Sequence, residues 1–97
     1  MSNFAVIRHY HFNAKDSAMI DKKIKEIFVP LIKNSKGFIR YYWLDDGKGE
    51  GASVSIFKTK AEAENSSNVA TEFASKYFKD VMNQKREVIE GLIVAHD

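Results

Sequence analysis

No cysteine occurs anywhere in the chain. That excludes a disulfide framework, a thiolate nucleophile and a thiolate metal site built from its own residues. Proline and tryptophan occur once each, as Pro30 and Trp43. Neither sign of charge dominates. The 15 lysines and arginines against 13 aspartates and glutamates leave a formal charge of +2, too little to argue by itself for nucleic acid or a membrane surface. No apolar run approaches the roughly 20 residues of a spanning helix. The opening residues, MSNFAVIRHYHF, lack the long apolar segment and small-residue cleavage site of a secretory leader. A cytoplasmic protein is the expectation.

What is present is an ordinary globular composition: 97 residues, 44% hydrophobic and 29% charged. That predicts one folded domain, burying about 60–65% of its unfolded surface and therefore having a modest core. The chain is organised around residues 37–58. There GFIRYYWLD and ASVSIFK, rich in β-branched and aromatic residues, flank the glycine-rich break DGKGEG. This predicts a β-hairpin with a loop longer than two residues.

Residues 4–12 form the first strand candidate, and Asn13 caps the helix that follows. Ile20, Ile24, Ile27, Phe28, Leu31 and Ile32 make one apolar helical stripe. Pro30 interrupts it, because proline has no N–H and crowds the carbonyl of Glu26, so a kink or break is expected near Phe28 and Val29, with Pro30 opening a final short turn. Gly37 suits a left-handed helix end. Thr59 and Glu62 form a capping box, opening a helix whose stripe runs through Val69, Ala70, Phe73, Ala74, Tyr77, Phe78, Val81 and Met82. Asn65, Ser66, Ser67 and Asn68 are read as facing solvent. Residues 83–85 are a connection, and residues 86–96 the last strand.

Strand, helix, hairpin, helix, strand is the order of a ferredoxin-like α+β domain. It has a four-stranded antiparallel sheet with both helices on one face, and the first and last strands side by side. Period-two reading sorts the strand residues into two faces. The more uniformly apolar set contains Ala5, Ile7, His9, Tyr41, Trp43, Ala52, Val54, Ile56 and Ile89 and is assigned to the helices. The opposite face then carries Val6, Arg8, Tyr10, Phe38, Arg40, Tyr42, Glu90, Leu92 and Val94. An apolar face of that extent calls for a cover, and a two-fold homodimer supplies one. Val6, Tyr10, Phe38, Tyr42, Leu92 and Val94 are the expected interface residues.

Several motifs bear on chemistry. His9 and His11 lie on one side of a strand about 7 Å apart. No third ligand is near in sequence and His96 is remote, so no metal site is assigned. Trp43 and Tyr41 are candidates to line a substrate pocket between sheet and helices. His9, on the same assigned face, is the candidate catalytic base because its pKa is closest to neutral. The loop at residues 45–51 matches neither a calcium loop nor a phosphate loop. Lys36-Gly37-Phe38-Ile39-Arg40-Tyr41-Tyr42 fails an RNA-recognition signature position by position, and no nucleic acid or membrane partner is expected. No catalytic triad is visible, and nothing in sequence pairs carboxylates.

Lys36-Gly37-Phe38, Tyr41-Tyr42, Asp45-Asp46-Gly47, Val54-Ser55-Ile56-Phe57, Ala61-Glu62-Ala63-Glu64 with Ser66, and Val88-Ile89-Glu90-Gly91 together resemble small bacterial proteins of the dimeric α/β-barrel superfamily, the grouping that contains antibiotic-biosynthesis-monooxygenase-like domains. The resemblance covers nearly the whole chain. It implies a ferredoxin-like subunit, a homodimer whose sheets close into a barrel, and a pocket between sheet and helices. It also implies cofactor-independent oxidation of an aromatic or apolar small molecule. Haem degraders of the group carry an iron-ligating histidine on the second helix, which this chain lacks, so no cofactor is expected. A non-catalytic ligand-binding or interaction dimer is the alternative reading.

Overall fold

The computed structural model describes residues 3–82 and 87–97. Its order is β1 (Phe4–His11), α1 (Ser17–Lys23), a wide π turn (Ile24–Phe28), α2 (Val29–Lys33), β2 (Phe38–Asp45), β3 (Glu50–Phe57), α3 (Lys60–Tyr77) and β4 (Glu87–Leu92). The four strands form one sheet in the order β2-β3-β1-β4, with every neighbouring pair antiparallel. This is the expected ferredoxin-like α+β architecture. The expected connection at residues 83–85, and Arg86 at the start of the expected last strand, lie outside the described residues. Among those described, no helix is long and apolar enough to cross a membrane.

Local chemistry accounts for the element ends. Asn13 accepts a hydrogen bond from the Lys15 N–H at the helix entrance. The irregularity expected before Pro30 is a π turn: the Val29 N–H reaches the Ile24 carbonyl, one residue beyond helical spacing. Proline follows within the first turn of α2, where its missing N–H costs little. Gly37 has φ +79°, the left-handed conformation expected there. The hairpin loop is tied by Asp46, whose Oδ1 accepts from the Lys48 and Glu50 N–H groups at 2.7 and 3.1 Å. Thr59 caps the helix as read, its Oγ1 accepting from the Glu62 N–H, while the Glu62 carboxylate accepts from the Thr59 hydroxyl rather than from its backbone N–H. Helix α3 stops at Tyr77, so Val81 and Met82 follow it in a turn rather than continuing its stripe.

The assignment of sheet faces requires correction in β1, β3 and β4, where Ile89 pairs with the outward Ile7, and Glu90 and Leu92 pair with the inward Val6 and Phe4. Phe4, Val6, Arg8, Ser53, Ser55 and Phe57 are the residues buried under the helices. Ile7, opposite Val54 and Ile89, lies on the outer face. In β2 the assignment stands for Tyr41 and Trp43, which align with Ser55 and Ser53. A register irregularity between Phe38 and Arg40 lets Phe38 share that face, with its ring edge-on to Phe57 at 5.9 Å.

The more polar face is inside because α3 brings matching polar groups. Arg8 is fully buried. Its Nη1 donates to Ser55 Oγ at 3.2 Å, and its Nη2 donates to Ser66 Oγ at 3.1 Å and Ser67 Oγ at 2.8 Å. Ser66 in turn donates to the Ala63 carbonyl. Two of the four small polar residues of α3 therefore face a buried guanidinium, while Asn65 and Asn68 are exposed. Buried polar groups persist when hydrogen-bonded, and alternation read by apolarity alone misassigns such a strand.

Candidate functional site

The space between sheet and helices is walled by aromatic rings. Phe28 packs against Tyr41 and Phe73, at ring separations of 5.2 and 4.9 Å. Trp43 lies 5.8 Å from Tyr10 and 6.3 Å from Phe12. Ser53, Ala70, Ala74 and Met82 complete a cavity of about 20 Å³, room for a water molecule. Two polar groups lie on its sheet side. Burial pushes the Tyr41 hydroxyl well above the usual phenol range, with Tyr10 adding to the effect while Arg8 and Ser53 oppose it. Ser53 Oγ is buried and makes no hydrogen bond of acceptable geometry.

Trp43 connects this cavity to a pair of carboxylates. Its Nε1–H donates to Asp21 Oδ1 at 2.8 Å. Asp45, at the end of the same strand, accepts on Oδ1 from the Gly47 N–H at 2.8 Å. Burial raises the Asp21 pKa, the Trp43 hydrogen bond opposes that rise, and the neighbouring Asp45 adds to it. Trp43 also fits closely against β3: a Cβ on Gly51 would fall 2.6 Å from its six-membered ring. The indole is thus fixed at both its polar edge and its apolar end.

The structure brings together Tyr41 and Trp43, as the sequence suggests, and adds Tyr10 and Ser53 from neighbouring strands. His9 does not join them. It lies on the outer face, opposite Ala52 and Glu87, beside His11 and Glu50, so it cannot act as a base in this cavity. Of the expected interface residues, Val6 and Phe38 belong to the subunit's own core. Tyr10 lines the cavity. Tyr42 is exposed on the outer face, while Leu92 and Val94 are exposed on and beyond the edge strand β4. The Asp21 contact to Trp43 had no local signal, because it joins a helix to a strand 22 residues away.

No family model matches the sequence, and no curated protein does either. Solved structures do resemble the fold. A protein of unknown function from Nitrosomonas europaea superposes with a TM-score of 0.83 at 13% identity, over 100% of this chain and 94% of that one. A Streptomyces coelicolor monooxygenase from the gene ActVA-Orf6, in complex with nanaomycin D, gives 0.74 at 8% identity over 99% and 91%. A dimeric ferredoxin-like protein from an uncultured marine organism gives 0.75 at 15% identity over 100% of both chains. These likenesses show the fold alone, a ferredoxin-like α+β subunit.

Proposed function

We propose that this protein is a homodimer that binds an aromatic or otherwise apolar small molecule between its sheet and helices, with cofactor-independent oxidation of that molecule as the activity. The observation that carries the reading is the aromatic cavity with Trp43 on its wall and the Tyr41 and Ser53 hydroxyls inside it. Rings supply contact area, and the hydroxyls supply orientation. The likeness in fold to a monooxygenase solved with a bound ligand supports the same reading.

At about 20 Å³ the cavity is far smaller than an aromatic ligand, so binding requires the wall to repack. Met82, an unbranched thioether beyond the end of α3, is the lining side chain best suited to move. Trp43, locked to Asp21, would stay as the platform. The Tyr41 and Ser53 hydroxyls on the sheet side of the cavity favour a ligand that presents a phenolic or carbonyl oxygen at that end.

The dimer rests on the outer sheet face. Ile7, Tyr42, Leu44 and Ile89 are all exposed there in the single subunit, and the dimeric ferredoxin-like neighbour supports a second copy as the cover. Charges among them, such as Arg40 on the same face, would sit with trapped water or a partner.

The experiment for the pocket is titration of a naphthol followed by Trp43 fluorescence. Saturable quenching is expected, and Ala74→Phe, which fills the cavity from α3, should abolish it while leaving the dimer intact. Quenching that persists unchanged in Ala74→Phe would refute the pocket.

A further inference from the structure

The geometry points to a divalent transition-metal site on the outer face of the sheet, with His9, His11 and Glu50 as ligands and Glu87 as the carboxylate that orients the two imidazoles. The three ligating side chains each offer an atom within 4.8 Å of the others. Glu50 Oε1 is 3.5 Å from His9 Nε2 and 3.4 Å from His11 Nδ1. Metal–nitrogen and metal–oxygen bonds of about 2.0–2.2 Å at a tetrahedral angle put ligand atoms roughly 3.4 Å apart. The two glutamate–histidine separations match that span, and the two imidazole nitrogens lie within 4.8 Å of each other, close enough to turn onto a common centre.

The set arises from strand register. His9 and His11 project from one side of β1. His11 is paired with Glu50 across the β1–β3 ladder, and His9 with Glu87 across the β1–β4 ladder. Three adjacent strands thus converge four groups on one end of the sheet. The imidazole rings are 4.6 Å apart and tilted by 54°, so they do not stack flat and their nitrogens can turn toward one point.

The two glutamates divide the imidazole nitrogens between them. Glu50 meets Nε2 of His9 and Nδ1 of His11. Glu87 lies on the side of the opposite nitrogens, 3.8 Å from Nδ1 of His9 and 3.9 Å from Nε2 of His11, within ion-pair range and a small side-chain rotation short of a hydrogen bond. A ligating histidine ordinarily donates its other N–H to a carboxylate, which fixes the tautomer and strengthens the ligand. Two histidines and one carboxylate leave coordination positions for water or a small oxygen ligand. A shallow depression beside the cluster is bordered by Leu44 and Asp46, so in the homodimer proposed above those positions open toward the seam between the two copies. This site is on the opposite face of the sheet from the aromatic cavity and does not depend on it.

The test is titration of chelator-treated protein with Zn²⁺ by calorimetry and with Co²⁺ by visible absorption. One cation per chain is expected, with a d–d spectrum of low-coordinate, nitrogen-ligated cobalt. Glu50→Gln and His11→Ala should remove the spectrum. Glu87→Gln should weaken affinity by roughly 10–100-fold, as loss of an orienting partner does. His96→Ala, remote from the cluster, should bind as the wild type does. Absence of saturable binding by the wild-type protein would overturn the site, and so would a cobalt spectrum unchanged in Glu50→Gln. Circular dichroism of each variant establishes that it is folded.

Discussion

Replacing Ser66 and Ser53 separately by alanine should have opposite consequences, although both serines are buried. Ser66 Oγ accepts from Arg8 Nη2 at 3.1 Å. A hydrogen bond to a charged group contributes about 1.5–3 kcal/mol. The same Nη2 also donates to Ser67 at 2.8 Å, so the guanidinium keeps part of its compensation and the lower end applies. Ser66→Ala should therefore cost about 1.5 kcal/mol. Ser53 Oγ meets only the neutral Tyr41 hydroxyl, in a geometry short of a full hydrogen bond, and a poorly satisfied buried hydroxyl is itself destabilising. Ser53→Ala should be neutral or stabilising by up to about 1 kcal/mol. Urea unfolding at fixed protein concentration separates the two, read as midpoint shifts at constant slope. For a domain of this size, Ser66→Ala should also lower the thermal midpoint by roughly 6–12 °C. Equal losses in both variants, or a neutral Ser66→Ala, would refute the buried Arg8–serine network as the reason the polar face of β1 points inward.

Three further perturbations follow from the geometry around Trp43 and the helix ends. Folded Asp21 holds its proton more tightly than the unfolded chain does, so its contribution to stability is greatest in acid and is lost as pH rises from the ordinary 3.8 through its raised folded value. Asp21→Asn, which keeps an acceptor for the Trp43 N–H, should gain stability relative to wild type across that window, as seen in unfolding midpoints at a series of pH values. Gly51→Ala would put a methyl 2.6 Å from the Trp43 ring, and should cost about 1–3 kcal/mol with a shift in Trp43 emission. Gly37→Ala forces a side chain into φ +79° against the Glu62 carboxylate, and should cost about 1–2 kcal/mol or more in the same unfolding assay.

The element order was legible because each boundary carries a local signal: Asn13, Gly37, the hairpin glycines, and the Thr59–Glu62 capping box all act where the sequence suggests. Face assignment was not, because it depends on what α3 presents to β1. Arg8, Ser53 and Ser55 look like solvent-side residues until Ser66 and Ser67 are seen beneath them. The register irregularity in β2 hides the problem further, since Tyr41 and Trp43 face the helices on either reading. Two lining residues of the candidate pocket, Tyr41 and Trp43, could be named from aromatic content. The Asp21 contact and the convergence of Glu50 and Glu87 on the two histidines are long-range consequences of topology and register.

The measurement that tests the proposed homodimer most directly is sedimentation equilibrium of the wild-type protein and of Leu44→Asp at micromolar concentration. Leu44 is 54% exposed in the single subunit, on the face that also exposes Tyr42 and Ile89. The wild type should sediment at twice the 11.1 kDa chain mass. Leu44→Asp should keep its circular dichroism and fall to the single-chain mass, because a buried, unpaired carboxylate is not tolerated at such a contact. A wild-type monomer, or a dimer that withstands both Leu44→Asp and Ile89→Asp, would contradict closure of the outer sheet face by a second copy of the chain.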